Sequence, residues 1–239
     1  MENSTKREKL KEFYFQIKDC KKCELYKSRT KFVFGSGCAD APVIFVGEAP
    51  GKNEDIQGKP FVGQAGKLLD KLLFSIGFER NQIFIANVLK CRPPGNRDPR
   101  VDEINICKEH LSRQIEIIDP KIICTMGKFS TQLLLDTSAG ITNLRGKVFR
   151  IGGRIILPIN HPAAALYTPS RMSILMEDFQ KIKGLLNSGA EPKEDEGSAE
   201  KKKNIPRRSA ASTLSINEAG SSSTDVGNGN NKSEQLGLF

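Results

Sequence analysis

Four short and almost uninterrupted apolar runs, rich in β-branched residues, constrain the fold of this 239-residue chain most strongly. They span Val43–Gly47, Ile83–Lys90, Ile122–Gly127 and Arg154–Asn160. Strands without polar alternation are typical of a sheet that is covered on both faces. The runs therefore predict four strands in the centre of one layered domain.

Helical patterns separate and flank these four runs. The spacing of apolar residues predicts helices near Thr5–Ile17, Ala65–Ile76, Val101–Ile118, Phe129–Leu135 and Ser173–Leu186. Alternation of strands with helices favours an α/β fold, a three-layer α/β/α sandwich around a four-stranded, mainly parallel sheet. Ligands of such sheets bind at the carboxyl ends of the strands. We therefore expect a functional site in the loops that follow the four runs.

The composition changes at Ser188. Residues 188–239 show almost no periodic apolar pattern before their last five positions, which predicts a disordered tail. The chain carries 37 Lys and Arg against 28 Asp and Glu, but the tail is nearly neutral, so residues 1–187 hold a net charge of +10. We predict a folded domain over 1–187 and a tail over 188–239. The basic excess belongs to the domain and suits a polyanionic partner.

The apolar content excludes some classes of protein. No run approaches the roughly eighteen apolar residues of a membrane span, and the charged start of the chain lacks the apolar centre of a secretory signal. We therefore expect no membrane association and a reducing, cytoplasmic location.

Four of the six cysteines form two pairs, Cys20 with Cys23 and Cys91 with Cys107. A Cys-x2-Cys pair in such a chain favours a metal site over disulfides. Four thiolates serve either zinc or an iron–sulfur cluster, and their spacing does not choose between the two. Of the remaining cysteines, Cys124 lies inside an apolar run and is expected to be a buried small hydrophobe, while Cys38 has no assigned role.

The loop after the first run reads Gly47-Glu48-Ala49-Pro50-Gly51-Lys52. It places a carboxylate at the end of a strand, in a tight turn. A phosphate-binding P-loop requires four residues between the glycines and a Ser or Thr after the lysine, whereas this loop has three residues and Asn53. The loop is therefore a candidate catalytic turn, and a plain turn with a solvated glutamate is the alternative.

Polar side chains also follow the second and fourth runs. The Asn87 amide can both donate and accept, as reading the edge of a base requires. The basic, proline-rich loop over 90–97 suits phosphate contacts, although ordinary solvated loops share its composition. His161 directly follows the fourth run and precedes small residues that allow close approach of a partner. The second histidine, His110, lies on a charged helical segment and fits an ordinary structural residue.

Taken together, these motifs resemble family 4 uracil-DNA glycosylases, the iron–sulfur type. The resemblance covers nearly all of residues 10–187 and is carried by GEAPG, GKPFVGQAG, NVLKCRPPGNR, HPAAAL and the four paired cysteines. It implies an enzyme that hydrolyses the N-glycosidic bond of uracil in single- or double-stranded DNA. The product would be an abasic site, the first intermediate of base excision repair.

The resemblance also implies roles for individual residues. Glu48 would position or activate the attacking water, and His161 would donate a hydrogen bond to uracil O2. Phe61 would stack on the flipped uracil, and Asn87 would pair with its edge. Further substrate contacts would come from the backbone around Ala49 and from Glu54, which would crowd the C5 methyl of thymine.

The resemblance extends to the cofactor and to DNA. A structural [4Fe–4S] cluster would be held by Cys20, Cys23, Cys91 and Cys107. Beside the resemblance, we expect contacts with DNA from Arg92, Arg97, Leu166, Tyr167 and Arg171, and Leu166 or Tyr167 would fill the gap that the flipped base leaves. A non-catalytic nucleic-acid-binding or redox-sensing iron–sulfur protein is the alternative function. Glu48, Asn87 and His161 in the expected loops favour the enzyme.

The chain ends in Gln235-Leu236-Gly237-Leu238-Phe239. This segment resembles the sliding-clamp-binding pentapeptide of bacteria, with a departure at Gly237, and keeps the Q-x-x-L spacing of the archaeal PCNA-binding box. Apolar anchors at the end of a flexible tether are typical of a short linear motif that binds a groove. We therefore predict a tether to a sliding clamp, with chance similarity as the alternative. We expect a monomer in the cytoplasm, associated with the nucleoid.

Overall fold

The computed structural model describes residues 5–166 and 168–188. Its sheet contains β1 (Ser36–Gly37), β2 (Val43–Gly47), β3 (Phe84–Asn87), β4 (Ile122–Met126), β5 (Phe149–Ile151) and β6 (Arg154–Ile159). The strands lie in the order β1-β3-β2-β4-β6-β5, in which the four central strands are parallel. The predicted α/β fold with a parallel centre is confirmed. The predicted number of strands is too small, because β1 and β5 pair antiparallel at the two edges.

Both additional strands are short. β1 has two residues, too few for a periodic signal. β5 joins β6 through Gly152 and Gly153, whose φ angles are +58° and +79°. Two consecutive residues with positive φ are typical of the tight turn of a β-hairpin, and glycine adopts that conformation without strain.

Seven helices of the described residues surround the sheet: α1 (Lys6–Ile17), α2 (Lys52–Gln57), α3 (Gln64–Ser75), α4 (Val101–Ile118), α5 (Lys128–Leu135), α6 (Ile141–Leu144) and α7 (Pro169–Asn187). The five predicted helices are present, with ends that differ by four residues or fewer. α2 and α6 are too short to show a helical period. Within the described ranges, no helix has the length and apolarity needed to cross a membrane.

The core lies on both faces of the sheet. Ile44 and Val46 of β2 pack in one cluster with buried residues of α1 and α4. Their neighbours Val43 and Phe45 pack on the opposite face with α3 and α7. Because side chains alternate along a strand, burial of both faces requires a continuous apolar run. This arrangement confirms the three-layer sandwich.

The parallel register brings the loops together at one edge. Gly47 lies opposite Asn87. The strand pairing continues beyond them, since the Val88 and Leu89 amides donate to the carbonyls of Gly47 and Glu48 at 3.0 and 2.9 Å. The loop after β2 is therefore fixed directly beside the end of β3. The tail beyond Ser188 lies outside the described residues, and the domain boundary at residue 187 stays a prediction.

Candidate active site

A cavity of about 350 Å³ lies at the carboxyl edge of the sheet. It draws side chains from the loops after β2, β3 and β6 and from the turn before α3. All six residues that the sequence assigned to the substrate line it, namely Glu48, Ala49, Glu54, Phe61, Asn87 and His161. The structure therefore brings into one cavity residues that are separated by more than one hundred positions in the chain.

The side-chain oxygen of Asn87 is buried without a hydrogen bond from the part of the chain that the structure describes. Its side chain is 2% exposed, and its Oδ1 has no hydrogen-bond partner among the described residues. A Cβ atom on Gly47 would lie 2.4 Å from this oxygen and 2.8 Å from the Phe61 ring, so the absence of a side chain at Gly47 makes room for both. A buried acceptor without a donor is costly in the free protein. An N–H group of a ligand at Asn87 would satisfy this oxygen.

His161 follows β6 in an extended conformation and is partly buried. Its Nδ1 accepts the Ala163 amide at 3.2 Å, which leaves the proton of a neutral ring on Nε2. Burial lowers the pKa of His161 to about 4, and the charge of Glu54 opposes this shift. The ring also stacks on Phe61, with centroids 5.5 Å apart. His161 is therefore a neutral N–H donor with a fixed tautomer at neutral pH.

Glu48 also lines the cavity and has a shifted pKa. Burial raises its pKa to about 7; the negative charge of Asp98 adds to the shift, and the positive charge of Lys128 opposes it. A carboxyl group with a pKa near the working pH is suited to general base catalysis. Neither Asp98 nor Lys128 was singled out from the sequence, although Lys128 is the second residue after the end of β4.

The Glu54 carboxylate is hydrogen-bonded to the backbone of a neighbouring turn. Its Oε1 accepts the amides of Val62 and Gly63 at 2.9 and 3.0 Å. These bonds fix the Glu54 side chain against the cavity, at the turn that carries Phe61. The predicted contact of Glu54 with a C5 methyl group requires such a fixed side chain and stays a prediction.

The residues assigned to DNA have varied surroundings. Arg97 lines the cavity and forms a bidentate ion pair with the buried Glu103. Its Nη1 and Nη2 donate to Oε2 and Oε1 at 2.9 and 2.5 Å. Arg92 donates to Asn96 at 2.7 Å. Leu166 packs at the edge of the core, and Arg171 is exposed in the first turn of α7. Tyr167 lies outside the described residues.

Lys90 behaves differently from the expectation for a basic loop. Its side chain is fully buried, and Nζ donates to the Asn87 carbonyl at 2.9 Å and to Gln114 Oε1 at 2.6 Å. Burial lowers the pKa of Lys90 to about 8. The expectation that Lys90 contributes to phosphate contacts is therefore wrong, because its ammonium group supports the backbone of Asn87 from inside the domain.

Of the four paired cysteines, Cys91 and Cys107 belong to the core cluster that contains α1 and α4, and Cys20 and Cys23 are partly buried and pack against it. Cys20 and Cys23 follow α1, Cys91 follows β3, and Cys107 lies within α4. Arg29 joins this group, since one of its nitrogens donates to Cys91 Sγ at 3.3 Å and to the Cys20 carbonyl at 2.7 Å. In the described part of the chain, no three His, Cys, Asp or Glu side chains form a group that could hold a metal ion.

His110 belongs to the same region. It is 4% exposed, and its Nε2 lies 3.4 Å from Cys20 Sγ. Burial lowers the pKa of His110 to about 4, so its ring is neutral. The expectation of an ordinary structural residue overlooked this contact, which no sequence spacing indicates because Cys20 and His110 lie 90 residues apart. Cys124 is fully buried in β4 as expected, while Cys38 is partly exposed.

Comparisons with known proteins agree with this geometry. The family model of the uracil DNA glycosylase superfamily matches residues 34–183. The type-4 uracil-DNA glycosylase of Sulfurisphaera tokodaii is 51% identical over 187 residues, covering 74% of this chain and 84% of the relative. The type-4 enzyme of Saccharolobus solfataricus is 48% identical, covering 72% and 84%, and that of Archaeoglobus fulgidus is 43% identical, covering 73% and 92%. The cavity at the ends of β2, β3 and β6 thus lies within the matched region, and the chain belongs to the type-4 uracil-DNA glycosylases of this superfamily.

Proposed function

We propose that this protein is a uracil-DNA glycosylase that hydrolyses the N-glycosidic bond of uracil in DNA and leaves an abasic site. Membership of the type-4 family supports this activity. Removal of a deaminated base is the first step of base excision repair. The base must leave the stack to reach the cavity, which costs a few kcal/mol. The net charge of +10 on residues 1–187 favours the binding of DNA phosphates.

The unpartnered Asn87 Oδ1 is the observation that carries the proposal. Uracil presents an N3–H donor beside the O4 acceptor, and one amide group satisfies both atoms. Cytosine presents an N3 acceptor and an N4 donor at the same edge, so Asn87 in this orientation would face two mismatched groups. Stacking of the base on Phe61 adds about 1–3 kcal/mol without choosing among bases.

The residues of the cavity supply two elements of the chemistry. Glu48, as a carboxylate, accepts a proton from the water that attacks C1′. His161 donates its Nε2 proton in a hydrogen bond to uracil O2, where negative charge develops as the glycosidic bond breaks. A fixed donor aimed at developing charge is usually the largest contribution to catalysis. Because the His161 ring is already neutral, the uracil anion is stabilised without proton transfer from an imidazolium.

The four cysteines supply the thiolate ligands that an iron–sulfur cluster requires. All four pack in or against one apolar core cluster, Arg29 donates to Cys91 Sγ, and the buried Lys90 places positive charge near Cys107. Such charges complement the negative charge of a thiolate-bound cluster. When bound, a [4Fe–4S] cluster would supply structural cross-linking between the segment after α1, the segment after β3 and α4. We propose Cys20, Cys23, Cys91 and Cys107 as its ligands.

Three further proposals rest on the sequence. Residues 235–239 lie outside the described residues, and their similarity to clamp-binding peptides supports a tether to a sliding clamp. We also propose that the protein is a monomer. The substrate supports a cytoplasmic location at the nucleoid.

The activity is tested with end-labelled oligonucleotides that carry a single uracil in a single strand, opposite guanine or opposite adenine. Incubation with the protein and treatment with alkali should break the strand at uracil, because alkali cleaves abasic sites. Matched strands with thymine or cytosine at that position should remain intact. If cluster-loaded protein leaves all three uracil substrates unbroken, the proposed function is wrong.

The pH dependence of excision should report Glu48. The rate should rise with pH through about 7, because the carboxylate form of Glu48 is the active one and its pKa is raised to about 7. The positive charge of Lys128 lowers this pKa, so Lys128→Gln should move the midpoint to higher pH. Removal of a negative charge by Asp98→Asn should move it to lower pH. Single-turnover rates between about pH 5 and pH 9 give the three midpoints. Coincident midpoints would contradict the role of Glu48 as the titrating base.

A further inference from the structure

The turn that carries Phe61 has a strained backbone. Phe61 has a φ of +52°, in the left-handed region that bulky residues rarely adopt. Its ring is 6% exposed and lies against His161. Strained residues persist where the surrounding structure holds them, and they cluster at functional sites.

Two charged side chains bind four consecutive residues of the turn. Arg80 donates from Nη1 to the Pro60 carbonyl at 3.2 Å and from Nη2 to the Phe61 carbonyl at 2.5 Å. Glu54 accepts the next two amides, those of Val62 and Gly63. A cation thus holds two carbonyl groups and an anion holds two amide groups. Each side chain suits the polarity of the groups that it binds.

The packing of α3 accommodates the same conformation. A Cβ atom on Gly66 would lie 1.8 Å from the Phe61 carbonyl oxygen, so the turn rests directly on the helix backbone. Arg80 itself is anchored by Asp70 of α3, whose Oδ1 accepts from Nε at 2.9 Å. Arg80 is not among the residues that line the cavity. Its effect on a ligand must therefore pass through the turn.

We propose that Arg80 is a positioning residue that, together with Glu54, holds the Phe61 ring in the orientation that stacks on the base. This inference rests on the proposed stacking of uracil on Phe61. The guanidinium group binds both carbonyls at once, which a single ammonium group does less well because it lacks the planar fork. Without Arg80, the strained conformation of Phe61 becomes a minor state, and the affinity for the base falls in proportion to its population.

The experiment compares Arg80→Met, Phe61→Ala and the double variant in full-length, cluster-loaded protein. Affinity for free uracil is measured by titration calorimetry, and excision by single-turnover kinetics. Arg80→Met should weaken uracil binding by about 10-fold to 100-fold, as expected for loss of a strained conformer. The double variant should bind no more weakly than Phe61→Ala alone, because Arg80 acts through Phe61.

A matched control removes a comparable arginine elsewhere. Arg145 is also partly buried, and it bonds Asp178 at 3.0 Å and the Ile174 carbonyl at 3.1 Å. Arg145→Met should lower the melting temperature but leave uracil affinity unchanged. Should Arg80→Met fail to fold, Arg80→Lys keeps the charge and should weaken uracil binding in the same direction.

The outcomes separate the inference from the proposed function. Unchanged uracil affinity in Arg80→Met or Arg80→Lys, beside a clear loss in Phe61→Ala, would overturn the role of Arg80 alone. Losses that add in the double variant would also overturn it, since Arg80 would then act elsewhere. No loss in Phe61→Ala would overturn the stacking role of Phe61 and this inference with it.

Discussion

Replacement of His161 by alanine should lower the single-turnover rate of uracil excision by about 100-fold or more, the usual cost of removing a donor aimed at developing negative charge. The Nε2 proton of His161 is the group lost, since Nδ1 is occupied by the Ala163 amide. The measurement is single-turnover excision from a uracil oligonucleotide, with cluster absorbance and melting temperature followed in parallel. Both of these should stay near their wild-type values, because His161 lies outside the cysteine region.

His161→Gln is the matched comparison, because its amide nitrogen can still donate a hydrogen bond. It should retain more activity than His161→Ala. Since burial lowers the pKa of His161 to about 4, the ring stays neutral from pH 6 upward and should add no second titration to the rate profile. A His161→Ala rate within a few-fold of wild type would show that the leaving base is stabilised elsewhere.

Replacement of Cys20 by alanine should abolish cluster binding and greatly reduce the yield of folded protein. Removing one of four ligands weakens the metal site, and the free energy of binding at such sites contributes directly to folding. Cys20 also receives two contacts that support the region, from Arg29 to its carbonyl and from His110 to its sulfur. Iron content, visible absorbance and the yield of soluble protein measure the effect.

Cys38→Ser is the control for this prediction. Cys38 is partly exposed and stands outside the two cysteine pairs, so this variant should keep its iron, absorbance and yield. If Cys20→Ala instead retained the iron content and the yield of Cys38→Ser, the assignment of Cys20 as a ligand would be wrong.

The centre of the fold was predictable because strands that are buried on both faces of a sheet appear in the sequence as continuous apolar runs. β2 and α4 match their predicted bounds, and the other central strands lie within the predicted runs. The edge hairpin was missed although Gly152-Gly153 between two apolar segments is a turn signal. The short α2 was missed for a different reason, because six residues cannot display a helical period.

The six residues assigned to the substrate do line one cavity, but their protonation and hydrogen bonding were not predictable from the sequence. Motifs place Asn87 and His161 at strand ends, whereas burial and hydrogen bonding decide that Asn87 Oδ1 is unpartnered and that His161 is neutral. Arg80 and Lys90 donate to backbone carbonyls. Every residue has a backbone carbonyl, so such contacts leave no recognisable motif in the sequence. The loop after β3 is basic in composition, but this composition did not predict that Lys90 is buried or that Arg97 is paired with Glu103.

We expect the cavity to bind uracil through a hydrogen bond from N3–H to Asn87 Oδ1. Competition of excision by two isomers, 1-methyluracil and 3-methyluracil, tests it most directly, because they match in size and polarity. 1-Methyluracil keeps the N3 donor and carries its methyl where the sugar would be attached, whereas 3-methyluracil leaves the buried oxygen without a partner. An unsatisfied buried acceptor costs about 1–3 kcal/mol, so we predict inhibition by 1-methyluracil about 5-fold to 150-fold stronger. Equal inhibition by the two isomers, or stronger inhibition by 3-methyluracil, would contradict the account.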